Sequence, residues 1–138
     1  MIRDAGADDS RVVADLLTQL GYPCSAADVA RRLMRLGSAD RLFLAELEGR
    51  VAGLAGIHVS AALEYDGDAA KVSPFVVDER VRRRGVGAAL MRAVEEEARA
   101  RGCVLLFLTT AEQRQDAHAF YRSTGLEETG RRFAKRLE

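Results

Sequence analysis

The stretch from Phe75 to Leu90 constrains this chain more than any other part of it. Phe75-Val76-Val77 is an apolar, strand-type triplet, and Arg82-Arg83-Arg84-Gly85-Val86-Gly87-Ala88 is a basic loop broken by two glycines. Val86, Leu90, Ala93 and Val94 then recur at i, i+4, i+7 and i+8, the spacing of one helix face. The other face carries Arg92, Glu95, Glu96 and Arg99, and Gly102 ends the helix. Val104 to Leu108 follows as a continuous apolar run, as expected of a strand buried on both faces. Strand, loop, helix and strand make a crossover unit, so its two strands are expected to lie parallel.

The chain ahead of this unit reads as short alternating elements. Arg3 to Asp4 ends a short first strand. Val12, Val13, Leu16, Leu17 and Leu20 mark a helix that Gly21-Tyr22-Pro23 stops. Ser25 with Asp28 three residues on resembles a capping box, opening a second helix through Val29, Leu33 and Leu36 to Gly37. Leu42 to Leu47 and Val51 to Val59 flank the turn Glu48-Gly49-Arg50 as a hairpin, and Gly53 and Gly56 mark a bend or close backbone approach. Asp66-Gly67 predicts a second hairpin, from a strand near Leu63 to Tyr65 into one from Ala69 to Val77. Pro74 supplies no ladder donor, which predicts a bulge in that strand. After the crossover unit come a short helix from Asp116 to Ser123, ended by Gly125, and a final strand from Thr129 to Leu137. The class is α+β with a mixed sheet, and 138 residues suit one domain spanning 1–138.

Charge narrows the function. Twenty-one basic residues balance twenty-one acidic ones, so no global field draws the chain to nucleic acid or an anionic membrane. Arg80, Arg82, Arg83 and Arg84 cluster, but no aromatic platform accompanies them, which speaks against a nucleic-acid surface. No apolar run nears the ~20 residues of a membrane span, and the amino-terminal sequence lacks a signal-peptide core. Cys24 and Cys103 fit no metal-ligand spacing and read as small hydrophobes in a reduced, cytoplasmic protein with no metal.

The loop itself has the chemistry of an anion site. A helix amino terminus presents unpaired N–H groups and the positive end of its dipole. Glycine at 85 and 87 removes Cβ atoms that would hold phosphates off the backbone, and guanidinium groups engage phosphate oxygens in pairs. Two better-known phosphate loops are excluded by spacing. No Lys-Ser/Thr pair follows the glycines, and Leu90 stands where a dinucleotide fingerprint needs its third glycine.

Arg82-x-x-Gly85-x-Gly87-Ala88, led in by Phe75-Val76-Val77, resembles the coenzyme-A motif of the GCN5-related N-acetyltransferase (GNAT) superfamily. The element order matches that family over nearly the whole chain, and Asp116-Ala117-His118-Ala119-Phe120-Tyr121 with Gly125 resembles its closing motif. The resemblance implies an acyl-coenzyme-A N-acyltransferase fold: a central, mostly antiparallel mixed sheet with flanking helices and a splayed parallel strand pair. It implies transfer of acetyl from acetyl-coenzyme A to a primary amine, by direct attack in a ternary complex. On that model the backbone of Phe75, Val76 and Val77 holds pantetheine, and the amides of Arg83, Arg84, Gly85, Val86, Gly87 and Ala88 hold the pyrophosphate. Arg82 shapes the loop, an N–H near Val77 receives the oxyanion, and Tyr121 is the general acid.

The resemblance leaves gaps. Lys71 stands where some relatives carry a glutamate base; Glu64, Asp66, Asp68 and Glu112 are alternative bases, each also readable as a surface residue, and a water chain is another. Arg114 stands where several relatives place a pantetheine-binding asparagine. His58 and His118 have no catalytic context in sequence and read as structural. The acceptor, a small-molecule or peptide amine, is expected against the first two helices, Tyr22 to Cys24, and the Ser60 to Asp68 hairpin with its acids. A coenzyme-A-binding module without turnover is the alternative; homodimers are common among relatives and have no signature here.

Overall fold

The computed structural model describes residues 1–110 and 115–137. Five strands form one sheet in chain order: β1 (Ile2–Asp4), β2 (Asp40–Leu47), β3 (Arg50–Ala61), β4 (Asp68–Val77) and β5 (Cys103–Phe107). Neighbours are antiparallel except β4 and β5, which run parallel. The helices are α1 (Ser10–Leu20), α2 (Ala26–Leu33), α3 (Val86–Ala100) and α4 (Gln115–Ser123), with short 3-10 turns at Ala7–Asp9 and Glu79–Val81. Among the described residues no helix is long and apolar enough to cross a membrane.

Local chemistry sets most boundaries. Gly21, at φ 110°, closes α1 with its N–H on the carbonyls of Leu17 and Thr18. Ser25 Oγ accepts from Asp28 N and Asp28 Oδ2 accepts from Ser25 N, both at 3.0 Å, so the capping box forms as expected. The helix ends at Leu33, short of Gly37, because Arg35 and Leu36 donate three residues back and tighten the chain into a turn. Glu48 (φ 54°) and Gly49 (φ 78°) make the two-residue β2–β3 turn.

Alternation along the strands divides the core in two. Leu44, Leu54 and Val76 pack under Val13, Leu16 and Val29 of α1 and α2. Phe43, Ala55, Ile57 and Val72 pack under Leu90, Met91 and Val94 of α3, with Tyr121 in the same cluster. Leu16, Leu44, Leu54 and Leu90 are fully buried, each worth roughly 1.5–3 kcal/mol relative to exposure.

The bulge expected at Pro74 is present. Ala55 faces Phe75 and Ile57 faces Val72, so Gly56 alone opposes Ser73 and Pro74. A Cβ on Gly56 would lie 2.4 Å from the Ser73 carbonyl oxygen, and one on Gly53 would lie 2.9 Å from Leu90 and Val86. Both glycines therefore mark close approaches, the first to backbone and the second to α3.

Three expectations are corrected. Leu63 to Tyr65 is not a strand: β3 continues to Ala61, and the next six residues loop outward with Leu63 fully exposed. β5 is not buried on both faces. It ends the sheet, and while Cys103, Leu106 and Leu108 join the α3 cluster, Val104 and Phe107 stay 55% and 40% exposed. Thr129 to Leu137 forms no strand; Phe133 and Leu137 are both 93% exposed. Arg131, Arg132, Lys135 and Arg136 put charge on both sides of that segment, leaving no continuous apolar face to bury.

Gly56→Ala should destabilise the fold by about 1–3 kcal/mol, the usual cost of overpacking. Urea denaturation measures it. Unchanged stability would mean that β3 and β4 do not approach this closely at the bulge.

Candidate active site

The site begins where β4 leaves β5. Their ladder runs from Asp68↔Cys103 to Lys71↔Phe107 and stops, while β4 continues six residues to Val77 with only β3 beside it. Phe75, Val76 and Val77 thus have no β5 partner on their outer edge, which matches the splayed parallel pair.

Beyond Val77 the chain is turned by a residue that sequence reasoning missed. Asp78 is 7% exposed. Its N–H donates to Ala52 O at 2.8 Å, and its carboxylate accepts from Arg80 N, Arg80 Nε and Arg80 Nη2 at 2.9–3.1 Å. Gln19 of α1 joins by donating to Asp78 Oδ1 at 3.4 Å and accepting from Glu79 N at 2.9 Å. The Arg80 guanidinium, helped by the Arg80 amide, holds the Asp78 carboxyl below its usual range despite burial.

The turn delivers the basic loop. Arg83 (φ 68°) and Gly85 (φ 82°) both lie in the left-handed region, and no side chain caps α3 at Gly85. The first amides of α3 have no intrahelical acceptor and so point to a ligand or to solvent. Arg82, Arg83 and Arg84 are exposed around them. Arg84 Nη2 reaches Glu48 Oε1 at 2.9 Å, but both side chains are largely exposed, so the pair is worth about 0–1 kcal/mol. A Cβ on Gly87 would come within 3.1 Å of the Phe120 ring and 3.6 Å of Val77. α4 therefore lies close to the start of α3 and the end of β4. An uncapped helix start ringed by arginines, beside an unpaired strand edge, suits the diphosphate and amide chain of coenzyme A.

Phe75, Phe120 and Tyr121 form a ring cluster with centroids 5.6–5.9 Å apart. Tyr121 is 8% exposed and lines a cavity of about 470 Å³ on the α1–α2 side of the sheet. Ser73, Phe75 and Thr110 border the same end; Tyr22, Arg32, Asp40, His58, Lys71 and Arg132 line the rest. The first two helices and Tyr22 thus border this cavity. Glu64, Asp66 and Asp68 do not line it, because β3 and its following loop carry them past its rim. His118 is half-buried on α4, and Glu112 and Arg114 lie outside the described residues. Cys24 and Cys103 are half-buried free thiols, and burial pushes the Cys103 thiol up.

The family model described as the acetyltransferase (GNAT) family matches residues 12–126. The chain belongs to the GNAT acetyltransferase family. It is 34% identical over 141 residues to the aminoalkylphosphonate N-acetyltransferase of Salmonella typhimurium, covering 99% of this chain and 90% of that protein. Among solved structures it is similar to a transcriptional regulator from Bacillus halodurans, at 23% identity and TM-score 0.86 over 99% of each chain. It is also similar to glucosamine-6-phosphate N-acetyltransferase from Arabidopsis thaliana, at 20% identity and TM-score 0.86, covering 100% of this chain and 98% of that one. Those two likenesses establish the fold. As a GNAT acetyltransferase the chain is an acetyl-transferring enzyme, which takes the place of the binding module without turnover.

The buried carboxylate makes this turn pH-sensitive. A carboxyl whose folded pKa is depressed contributes stability above its unfolded value near 4, and that stability is lost as pH falls through the folded value. Asp78→Asn should therefore cost about 1–3 kcal/mol at pH 7 and flatten the fall in melting temperature below pH 4. A variant that tracks the wild type at every pH would show the carboxylate to be unimportant.

Proposed function

We propose that this enzyme transfers the acetyl group of acetyl-coenzyme A to the primary amine of a small acceptor with an anionic head. The reaction is direct attack within a ternary complex. The observation that carries the reading is the pair of features that β4 joins. The start of α3, which has no side-chain cap, follows β4 at the exposed Arg82 to Arg84; a cavity bordered by Tyr121 and by the cations Arg32, Lys71 and Arg132 lies against β4 at Lys71 to Phe75. The strand edge that β5 abandons connects them.

Each part has a role. The amides of Arg83, Arg84, Gly85, Val86, Gly87 and Ala88 hold the pyrophosphate, with the exposed guanidinium groups adding charge. Phe75 to Val77 bind pantetheine as an added strand, through main-chain hydrogen bonds. An amide of that edge, near Val77, receives the carbonyl oxygen as charge develops on it. Tyr121 supplies the departing thiolate with a proton, since a phenol carries its proton at neutral pH and can return it as the thiolate forms. Packing against Phe75 and Phe120 fixes the ring for that task.

The acceptor class follows from the cavity charge together with the relative. Besides Arg41, whose guanidinium is held by Asp4 and Glu97, three cationic side chains line the cavity and suit a dianionic head, and the Salmonella protein of 34% identity is named for aminoalkylphosphonates. With acetyl-coenzyme A, free-thiol release should be fastest with aminoalkylphosphonates and slow with uncharged amines and peptide amines. Tyr121→Phe should lower kcat by about 10²-fold or more while calorimetry finds acetyl-coenzyme-A affinity unchanged. A single-turnover rate equal to the wild type would remove Tyr121 from the chemistry. Equal rates with neutral and anionic amines would remove the head-group assignment.

A further inference from the structure

The attacking amine must lose a proton, and the position where some relatives carry a glutamate base is Lys71, a cation at neutral pH. The structure places another proton acceptor directly beside it. β3 and β4 pair His58 with Lys71, and β2 and β3 pair Asp40 with His58, so the three residues form one row across three strands. All three line the acceptor cavity. His58 Nδ1 lies 2.6 Å from Asp40 Oδ1. Asp40 is itself held in place: its Oδ2 accepts from Gly37 N at 2.9 Å. The Gly37 amide, and then His58, hold its carboxyl below the usual range, so it is an acceptor and Nδ1 is the donor. That leaves Nε2 as the acceptor of the neutral ring. With 54% side-chain exposure, the ring is open to a ligand in the cavity.

From the Asp40–His58 pair in the cavity wall, we infer that His58 is the general base that deprotonates the acceptor amine, with Asp40 as its positioning residue. The inference rests on the acetyl-transfer reading above. His58 lines the same cavity as Phe75 and Tyr121, so water in that cavity relays the proton from the amine to Nε2. The ammonium of the acceptor gives one proton to His58 Nε2. Its nitrogen lone pair then forms the C–N bond with the thioester carbonyl carbon, and the C–S bond breaks. Tyr121 protonates the sulfur and recovers the nitrogen's second proton, while His58 returns the first to solvent. One proton is released per turnover.

The test is the pH dependence of kcat/KM for acetyl transfer to 2-aminoethylphosphonate in the wild type, His58→Gln, His58→Ala and Asp40→Asn. Comparing variants on one substrate cancels the substrate's own ionisations. The charged groups that share the cavity with His58 are Asp40 and Arg41 on β2, Lys71 on β4, Arg32 on α2 and Arg132. Of these Asp40 alone is altered. Calorimetry with acetyl-coenzyme A confirms that each variant is folded. His58→Gln should lose about 10²–10³-fold at pH 7 and recover as the pH approaches the amine's own pKa. Added imidazole should restore part of the His58→Ala activity. Asp40→Asn should shift the acid limb and cost less than the loss of His58. A His58→Gln enzyme with the wild-type rate and limb overturns the assignment while leaving acetyl transfer intact. A wild type that releases no thiol with any amine overturns the function reading and this assignment with it.

Discussion

The site depends on the point where β4 parts from β5. A parallel ladder that ran the full length of β4 would bury the edge of Phe75 to Val77 in pairing with β5 and leave no slot between the strands. The ladder ends instead at Lys71, and the next step along β4 is the bulge opposite Gly56. With a side chain at 56 the two backbones could not come this close, since its first carbon would lie 2.4 Å from the Ser73 carbonyl. One missing Cβ thus permits the irregularity beside which the strand edge becomes available.

The two faces of the sheet then share the work. α3 packs on one face through Leu90, Met91 and Val94, which fixes the direction in which its uncapped amino end points. α1 and α2 pack on the other through Val13, Leu16 and Val29, and their remaining surface walls the cavity. Asp78 and Gln19 tie the two systems together, because a helix that shapes the cavity also hydrogen-bonds the turn that leads to the basic loop. α4 brings Phe120 and Tyr121 across the junction. Phe75, Phe120 and Tyr121 therefore rest on secondary structure rather than on free loops.

What could be read in the sequence was what neighbours along the chain determine. The α3 loop and its helix, the capping box at Ser25, the turn at Glu48-Gly49 and the bulge at Pro74 all rest on local signals, and all are present. What was missed or misread depends on partners distant in sequence. Val104 to Leu108 looks like a doubly buried strand, yet its burial depends on what covers the sheet edge. The apolar residues of 129–137 suggest a strand, but flanking charge leaves them nothing to pack against. His58 has no partner near it in the linear sequence: Asp40 and Lys71 stand beside it only once three strands align. Asp78 is likewise an ordinary acid until Gln19, 59 residues away, is placed against it. The acids at 64, 66 and 68 are likewise adjacent in sequence to the cavity wall but not part of it.

The account turns on main-chain amides at the head of α3 binding a diphosphate, and amide chemical shifts read that contact directly. Titrating ¹⁵N-labelled protein with coenzyme A should move the resonances of Gly85, Val86, Gly87 and Ala88, whereas pantetheine, which lacks the diphosphate, should leave them in place. Saturation by coenzyme A with those four resonances unmoved would contradict the account.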